Sequence, residues 1–246
     1  MINSAETKFD KDEFSFAYPD GIENNYWNLA RNKIILDTIR KYPVGNVLDV
    51  GSGRGVVTDY LFKNKINIKG VELGSTTAIS HSKVPIEYGT DALSFSEEIS
   101  SGYTTITLFD VIEHIEDPVK FINNLIAHFK NVTCLVVTVP ARMELWTNFD
   151  EYYGHYKRYD LDTIKHEMEK CGFELIENKY FFQPLYLMIA LNNKISKTRS
   201  IQFNVPSGIT KIMHKLIARI LYLFRFISPG SLYGSSIICV AKKIKK

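Results

Sequence analysis

The sequence predicts an α/β fold in which a doubly wound, seven-stranded, mostly parallel sheet carries helices on both faces. Three observations point to it. From Asn46 onward, short apolar runs alternate with helical patterns, the mark of βα units feeding a parallel sheet. The first of these runs, Val47-Leu48-Asp49-Val50, passes directly into a glycine-rich turn, Gly51-Ser52-Gly53-Arg54-Gly55. The last run is set apart from the others by a long insertion. A chain of 246 residues suits one generous domain of this kind better than two independent ones.

Taken in order, the strands are expected at Asn46 to Gly51, Ile68 to Leu73, Pro85 to Tyr88, Thr104 to Val111, Thr133 to Val139, Phe173 to Phe181 and Ser235 to Lys242. Between them, helical periodicity covers Val56 to Lys63, Thr76 to Ser82, Asp117 to Lys130 and Leu161 to Cys171, the last closed by Gly172. Residues 1–45 form an N-terminal helical segment with a helix from Ile22 to Lys41, and 46–182 make the core. Residues 183–234 are an insertion, and 235–246 return to the core as its last strand. Structureless connections as long as that insertion are rare in compact domains, so it should carry helices, the best candidate being Thr210 to Ile227.

Composition narrows the classes of function. Hydrophobic residues at 45% and charged ones at 23% allow a real core and exclude wholesale disorder. A formal net charge of +3 is too small to make nucleic acid the main partner. Cys134, Cys171 and Cys239 lack metal-ligand spacing and read as buried reduced thiols. The start, Met1-Ile2-Asn3-Ser4-Ala5-Glu6, has neither the basic nor the apolar stretch of a signal peptide, so a cytoplasmic location is expected.

The glycine-rich turn carries the first chemistry. Glycines there let the backbone approach a ligand and present helix N-terminal amides to a negative group. The spacing is GxGxG. A dinucleotide fingerprint wants a third glycine where this chain has Val56, which disfavours NAD and FAD. Glu72 follows at the interval where an acid meets a ribose diol, although an acid ending a strand is otherwise merely solvent-facing. Asp91, with the backbone N–H of Ala92, suits an adenine edge. Asp110 ends the fourth strand, beside the crevice where open α/β sheets bind ligands.

These segments, VLDVGSGRG, GVEL, GTDAL and LFDVIEHIEDP, resemble in order and spacing the successive motifs of class I S-adenosylmethionine (SAM) dependent methyltransferases. The resemblance covers roughly 46–182, and Ser236 to Lys242 is similar to that family's antiparallel last strand. Glu113-His114, the block Gly154 to Tyr159 and the insertion are similar to a small-molecule branch of ubiquinone-type and sugar O-methyltransferases. The resemblance implies a Rossmann-like methyltransferase fold. It also implies that Asp49, Gly51, Gly53 and Gly55 surround the methionine part of SAM, that Glu72 holds the ribose, and that Asp91 with Ala92 takes the adenine. Asp110 would lie near the methionine amino group. Arg54 departs from the small residues often found in this loop; solvent is its simplest destination and it receives no role.

Methyl transfer from a sulfonium needs alignment above all, with a general base chiefly for a hydroxyl acceptor. His114 and His155 are the candidates, and a structural histidine is the equal alternative for each. Asp110, Glu113 and His114 share a helical face and could together hold magnesium, as in some relatives, but SAM also claims Asp110 and the spacing locates no further oxygen ligands, so magnesium is not favoured. Arg158 and Tyr159, in a tyrosine-rich basic block, are expected to bind the acceptor, and Tyr26, Trp27 and Arg31 to close the pocket as a lid. The helix from Thr210 to Ile227 sets cations beside an apolar stripe. It suits an anionic membrane surface, a partner subunit, a substrate lid or plain packing on its own core.

The expected function is therefore O-methylation of a small polar acceptor, a sugar or its nucleotide- or lipid-linked form. N-methylation of a small amine and a catalytically silent SAM-fold subunit are the alternatives. The Asn/Asp-Pro-Pro-aromatic signature of base methylation is replaced here by Asp110-Val111-Ile112-Glu113.

Overall fold

The computed structural model describes residues 16, 18–42, 44–201 and 205–244. The Met1–Glu6 start, and with it the first part of the expected N-terminal segment, lies outside the described residues. Seven strands form one sheet: β1 (Val47–Val50), β2 (Ile68–Glu72), β3 (Ile86–Tyr88), β4 (Thr105–Phe109), β5 (Cys134–Pro140), β6 (Phe173–Phe181) and β7 (Ser236–Lys243). Their order is β3-β2-β1-β4-β5-β7-β6. All neighbours are parallel except β7, which runs antiparallel to both β5 and β6. The order reverses between β1 and β4, so the crevice expected of a doubly wound sheet opens at their carboxyl ends.

The helices are α1 (Tyr26–Ile39), α2 (Val56–Lys63), α3 (Glu97–Ser100), α4 (Pro118–His128), α5 (Asn148–Tyr152), α6 (Leu161–Lys170), α7 (Gln183–Asn193) and α8 (Gly208–Ile227). Alternation along β5 divides the core. Leu135, Val137 and Val139 join Ile122 and Leu125 of α4 and Ile164 and Met168 of α6 on one face. Cys134 and Val136 join Ile34 and Ile35 of α1, Leu61 of α2 and Leu221 of α8 on the other. β5 is buried at every position from Cys134 to Val139, and burial on both faces requires helices on both sides of the sheet. Cys134, Cys171 and Cys239 are free and buried.

The expected N-terminal helix from Ile22 is shorter at its start. Ile22–Asn24 is a 3-10 turn, and Asn25 then caps α1 by accepting the Trp27 N–H at 2.9 Å, a capping role that asparagine fills better than a helix interior does. The insertion carries α7 and α8, as its length requires. It leaves and returns at one place: Phe181 pairs with Ser236, and a Cβ on Gly234 would sit 2.1 Å from the Phe181 carbonyl oxygen.

No helix forms over Thr76–Ser82. The segment is rich in β-branched and hydroxyl side chains, which compete poorly for helix, and its carbonyls have another partner. Arg54, 8% exposed, donates to the carbonyls of Thr77 (3.0 Å), Ala78 (3.3 Å) and Tyr18 (2.6 Å) and pairs with Asp20 at 2.9 Å. Arg54 therefore corrects the expectation of a solvent-facing loop residue. It ties the glycine turn to two chain segments, one of them the entry to the first helices. Replacing it by Met should destabilise the fold by about 1–3 kcal/mol, the cost of leaving buried acceptors unmatched. Urea melts and proteolysis near Tyr18 check this, and an unchanged midpoint with no new cleavage would remove Arg54 as a clamp.

Candidate active site

The carboxyl end of β1 turns sharply through three glycines with positive φ: 74° at Gly51, 53° at Gly53 and 79° at Gly55. At Gly51 a Cβ would sit 2.8 Å from Val111 Cγ2, and at Gly55 it would sit 2.5 Å from Ile86 Cδ1. Gly53 differs, since its Cβ would meet nothing nearer than Tyr18 Cε2 at 4.0 Å. The outer two glycines are thus packed, and the middle one faces the crevice.

Two carboxylates hold this turn. Glu72, at the end of β2, accepts the Gly53 N–H at 2.7 Å and the Gly74 N–H at 2.8 Å, one on each oxygen. Burial raises its pKa against those two bonds. Asp49 lies beneath the turn, 2% exposed, accepting the hydroxyls of Thr58 (2.5 Å) and Thr107 (2.8 Å). Burial outweighs both bonds and pushes its pKa up to about 6. Asp91 is exposed and caps the turn Ala92–Ser94 by accepting the Leu93 N–H at 2.9 Å, while Ala92 is buried.

Asp110 follows β4 with φ 56°, a left-handed conformation rare outside glycine and concentrated at functional sites. Its carboxylate pairs with Arg31 of α1 and accepts the Thr138 hydroxyl at 3.2 Å. Arg31 is 4% exposed, donates to Thr138 Oγ1 at 3.3 Å and lies 4.8 Å over the Trp27 ring. The Tyr18 hydroxyl feels the same charges: burial first, then Asp110, raise its pKa above the ordinary phenol value. Of the expected lid residues, Arg31 reaches Asp110 after β4 and Thr138 of β5. The Tyr26 N–H donates to His214 of α8 at 3.1 Å, and Trp27 packs on Phe182.

Beyond β5 a second cluster forms. Asp150 is fully buried. It accepts Nε and Nη2 of Arg158 at 2.7 and 2.9 Å and lies 2.9 Å from His155 Nδ1. Burial works against ionisation here, yet the His155 and Arg158 hydrogen bonds and the Arg158 charge hold the Asp150 carboxyl well below the usual range. The His155 ring packs edge-on against His114, with centroids 4.7 Å apart. Next to them Glu113, 1% exposed, leaves Oε2 without a hydrogen bond; burial and the charge of Asp110 raise its pKa well above normal. Ligand atoms of Glu113, His114 and His155 lie within 4.8 Å of one another.

Two expected acceptor residues are corrected. Arg158 does not present a free guanidinium: it is 7% exposed, doubly bonded to Asp150, and donates to the Ala141 carbonyl at 3.3 Å. Tyr159 is a core residue, 1% exposed, with its hydroxyl donating to the Ile112 carbonyl at 3.3 Å. The oxygen-rich trio Asp110, Glu113 and His114 is also divided, because Arg31 takes Asp110. Asp150 is the residue that sequence reasoning missed. Its signal was Thr147-Asn148-Phe149-Asp150, a capping box in which Asp150 also accepts the Thr147 N–H at 2.9 Å.

A left-handed Asp110 after β4, a glycine turn after β1 and acids at both line the crevice where open α/β sheets bind ligands. The methyltransferase-domain family matches residues 27–178. The chain belongs to that family. Among solved structures it is similar to the Haemonchus contortus phosphoethanolamine N-methyltransferase 2 in complex with phosphomonomethylethanolamine and S-adenosylhomocysteine. The TM-score is 0.55 and the identity 18%, over 98% of this chain and 59% of that one. It is also similar to the methyltransferase domain of bacterial CtHen1, with TM-score 0.53 and 15% identity over 89% of this chain and 99% of that one. At these identities the likeness establishes the shared fold. No curated protein matches the sequence.

The site has a pH signature. The Asp49 pKa of about 6 lies above the roughly 3.9 of an unfolded aspartate, so folding takes up a proton between these values. Stability from this group is complete below about pH 4 and is lost as pH rises through about 6. Asp49→Asn cannot ionise and keeps the shape. Its stability relative to wild type should therefore improve steadily from about pH 4 to about pH 7. Urea melts across that range test it, and a constant difference would refute a buried titration at Asp49.

Proposed function

We propose that the chain is a SAM-dependent methyltransferase that methylates a hydroxyl of a small polar acceptor, a sugar or its nucleotide- or lipid-linked form. In this reading Gly51, Gly53 and Gly55 enclose the methionine part of the cofactor, with Asp49 holding the turn from below. Glu72 takes the ribose: each of its oxygens already accepts one N–H and keeps a further lone pair. Asp91 and Ala92 take the adenine, and Asp110 faces the amino group. The buried Tyr88 hydroxyl, which has no hydrogen-bond partner and feels the Glu72 charge, fits a polar ligand on this side of the cradle. The bound cofactor supplies a methyl group on a positively charged sulfur.

The Asp150–His155 pair carries the hydroxyl reading. Asp150, kept ionised, holds His155 through Nδ1 at 2.9 Å, which leaves Nε2 to take a proton. A hydroxyl needs such a base as it becomes an ether, while an amine attacks through its own lone pair. His155 accepts the acceptor's proton, His114 packs against the ring that takes it, and Arg158 positions Asp150.

Three tests follow from these assignments. Gly53→Ala has room for its Cβ and should cost only about 1–2 kcal/mol of backbone strain, yet should abolish SAM binding by calorimetry. Full retention of binding would move the cofactor away from this turn. His155→Ala should lower kcat by about 10²–10⁴-fold with the Kd for SAM unchanged. Arg158→Ala, in contrast to a residue that binds an acceptor anion, should lower stability by about 3–5 kcal/mol because it strands a buried carboxylate. An Arg158→Ala enzyme of wild-type stability with only a raised acceptor KM would return Arg158 to the acceptor. The His155 assay is run with and without a chelator. Loss of turnover on chelation, restored by a transition-metal ion, would give the Glu113, His114 and His155 cluster to a metal and overturn the base assignment.

A further inference from the structure

The charge of this chain is segregated. Twelve of the 30 Lys and Arg lie after Glu177 and none of the 27 Asp and Glu does, so the last 69 residues carry a formal +12 and the rest −9. The insertion lies inside that cationic part. Its helix α8 buries Ala218 and Leu221 against the core, with Ile217 and Tyr222 half-buried beside them. A second apolar stripe on the same helix is exposed: Ile209 (82%), Ile212 (69%), Leu216 (60%), Ile220, Leu223 and Phe226 (65%). Lys211, Lys215 and Arg219 are exposed along the same stretch. Helix α7 repeats the pattern with Leu187, Met188 and Leu191, followed by the exposed Lys194, Ile195 and Lys197.

We infer that α8, with α7 beside it, is a docking surface for an anionic phospholipid bilayer, on which the protein lies without crossing it. An apolar stripe set among cations on a helix is the chemistry of interfacial insertion: apolar side chains enter the acyl boundary while lysines and arginines meet lipid phosphates. Among the described residues no helix is long and apolar enough to span a membrane. Two other occupants fit less well. A second copy would bring two acid-free, cationic insertions face to face in an isologous contact. A nucleic acid would leave the apolar stripe in water. The helix is also firmly based on the fold, since Tyr222 and Arg225 bond Asp37 of α1 at 2.6 and 3.1 Å.

The test is co-sedimentation of the full chain with vesicles of phosphatidylcholine, with and without about 30 mol % phosphatidylglycerol. The anionic vesicles should bind at least about tenfold more tightly, and the preference should vanish near 0.5 M salt, where screening is nearly complete. Ile212→Glu with Leu216→Glu should abolish binding to both. These positions are exposed, so the melting temperature should not move. Replacing Lys211, Lys215 and Arg219 by Gln should remove the anionic preference only. Absence of binding to either vesicle by a folded wild-type chain overturns the inference. So does a concentration-dependent dimer in sedimentation velocity that the Ile212→Glu, Leu216→Glu pair dissolves, which would make the stripe an interface between copies.

Discussion

The ion pair between Arg31 and Asp110 fixes how the first helix, already packed on the sheet by its apolar face, meets the crevice. Asp110 stands at the carboxyl end of β4 in a left-handed conformation, a state that costs energy and persists only where the surroundings hold it. Arg31 supplies that hold from α1, and Thr138 of β5 bonds both partners. Through α1 the pair then reaches the insertion, because α1 is the surface on which α8 packs. The crevice, the first helix and the insertion are therefore mechanically linked through one buried guanidinium.

Five carboxylates surround this region, and their fates differ with their partners. Asp150 is fully buried and is nonetheless held ionised, because His155 and Arg158 hydrogen-bond it and Arg158 adds a full charge. Glu113 is just as buried, with Asp110 as its nearest charge, and is pushed toward the neutral acid. Asp49 and Glu72 fall between these limits, since each has neutral donors in place of a cation. Desolvation raises the pKa of Asp49, Glu72, Glu113 and Asp150 alike, and it is outweighed at Asp150, where His155 and the charged Arg158 bond the carboxylate. The same argument separates the two halves of the site: neutral donors and backbone amides line the glycine-turn side, while the far side holds a charged pair aimed at an imidazole.

What was legible in the sequence follows from where each signal resides. The strands and most helices were readable because their burial periods are local, and the glycine turn because positive φ and close packing at Gly51 and Gly55 admit almost no other residue. The missing helix over Thr76–Ser82 was not readable, since its carbonyls are claimed by Arg54, more than twenty residues earlier. Arg158 and Tyr159 misled for the same reason. Their residue types suit an acceptor, but a capping aspartate and a backbone carbonyl reach them first in space. Period and turn chemistry survive in one dimension; the choice among partners for a long polar side chain does not.

The insertion is attached so that its ends stay together whatever its length. It departs after Phe181 and rejoins at Ser236, which pair directly across β6 and β7. Ser235 also donates its N–H to the Phe182 carbonyl at 3.4 Å. A loop whose ends are already clamped by a strand ladder adds little closure entropy to folding, however long it grows. Its side chains are then free to serve the outside of the molecule, which is where the acid-free composition and the exposed stripe of α8 are found. One return strap does touch the site: Asn148 and Arg199 exchange hydrogen bonds at 2.9 and 3.1 Å, and the Arg199 guanidinium lies 3.8 Å over the Phe149 ring. Those contacts fall on the helix that holds Asp150. The insertion is thus tied to the site at two places, to the Asp150 helix through Arg199 and to Asp110 through α8, α1 and Arg31.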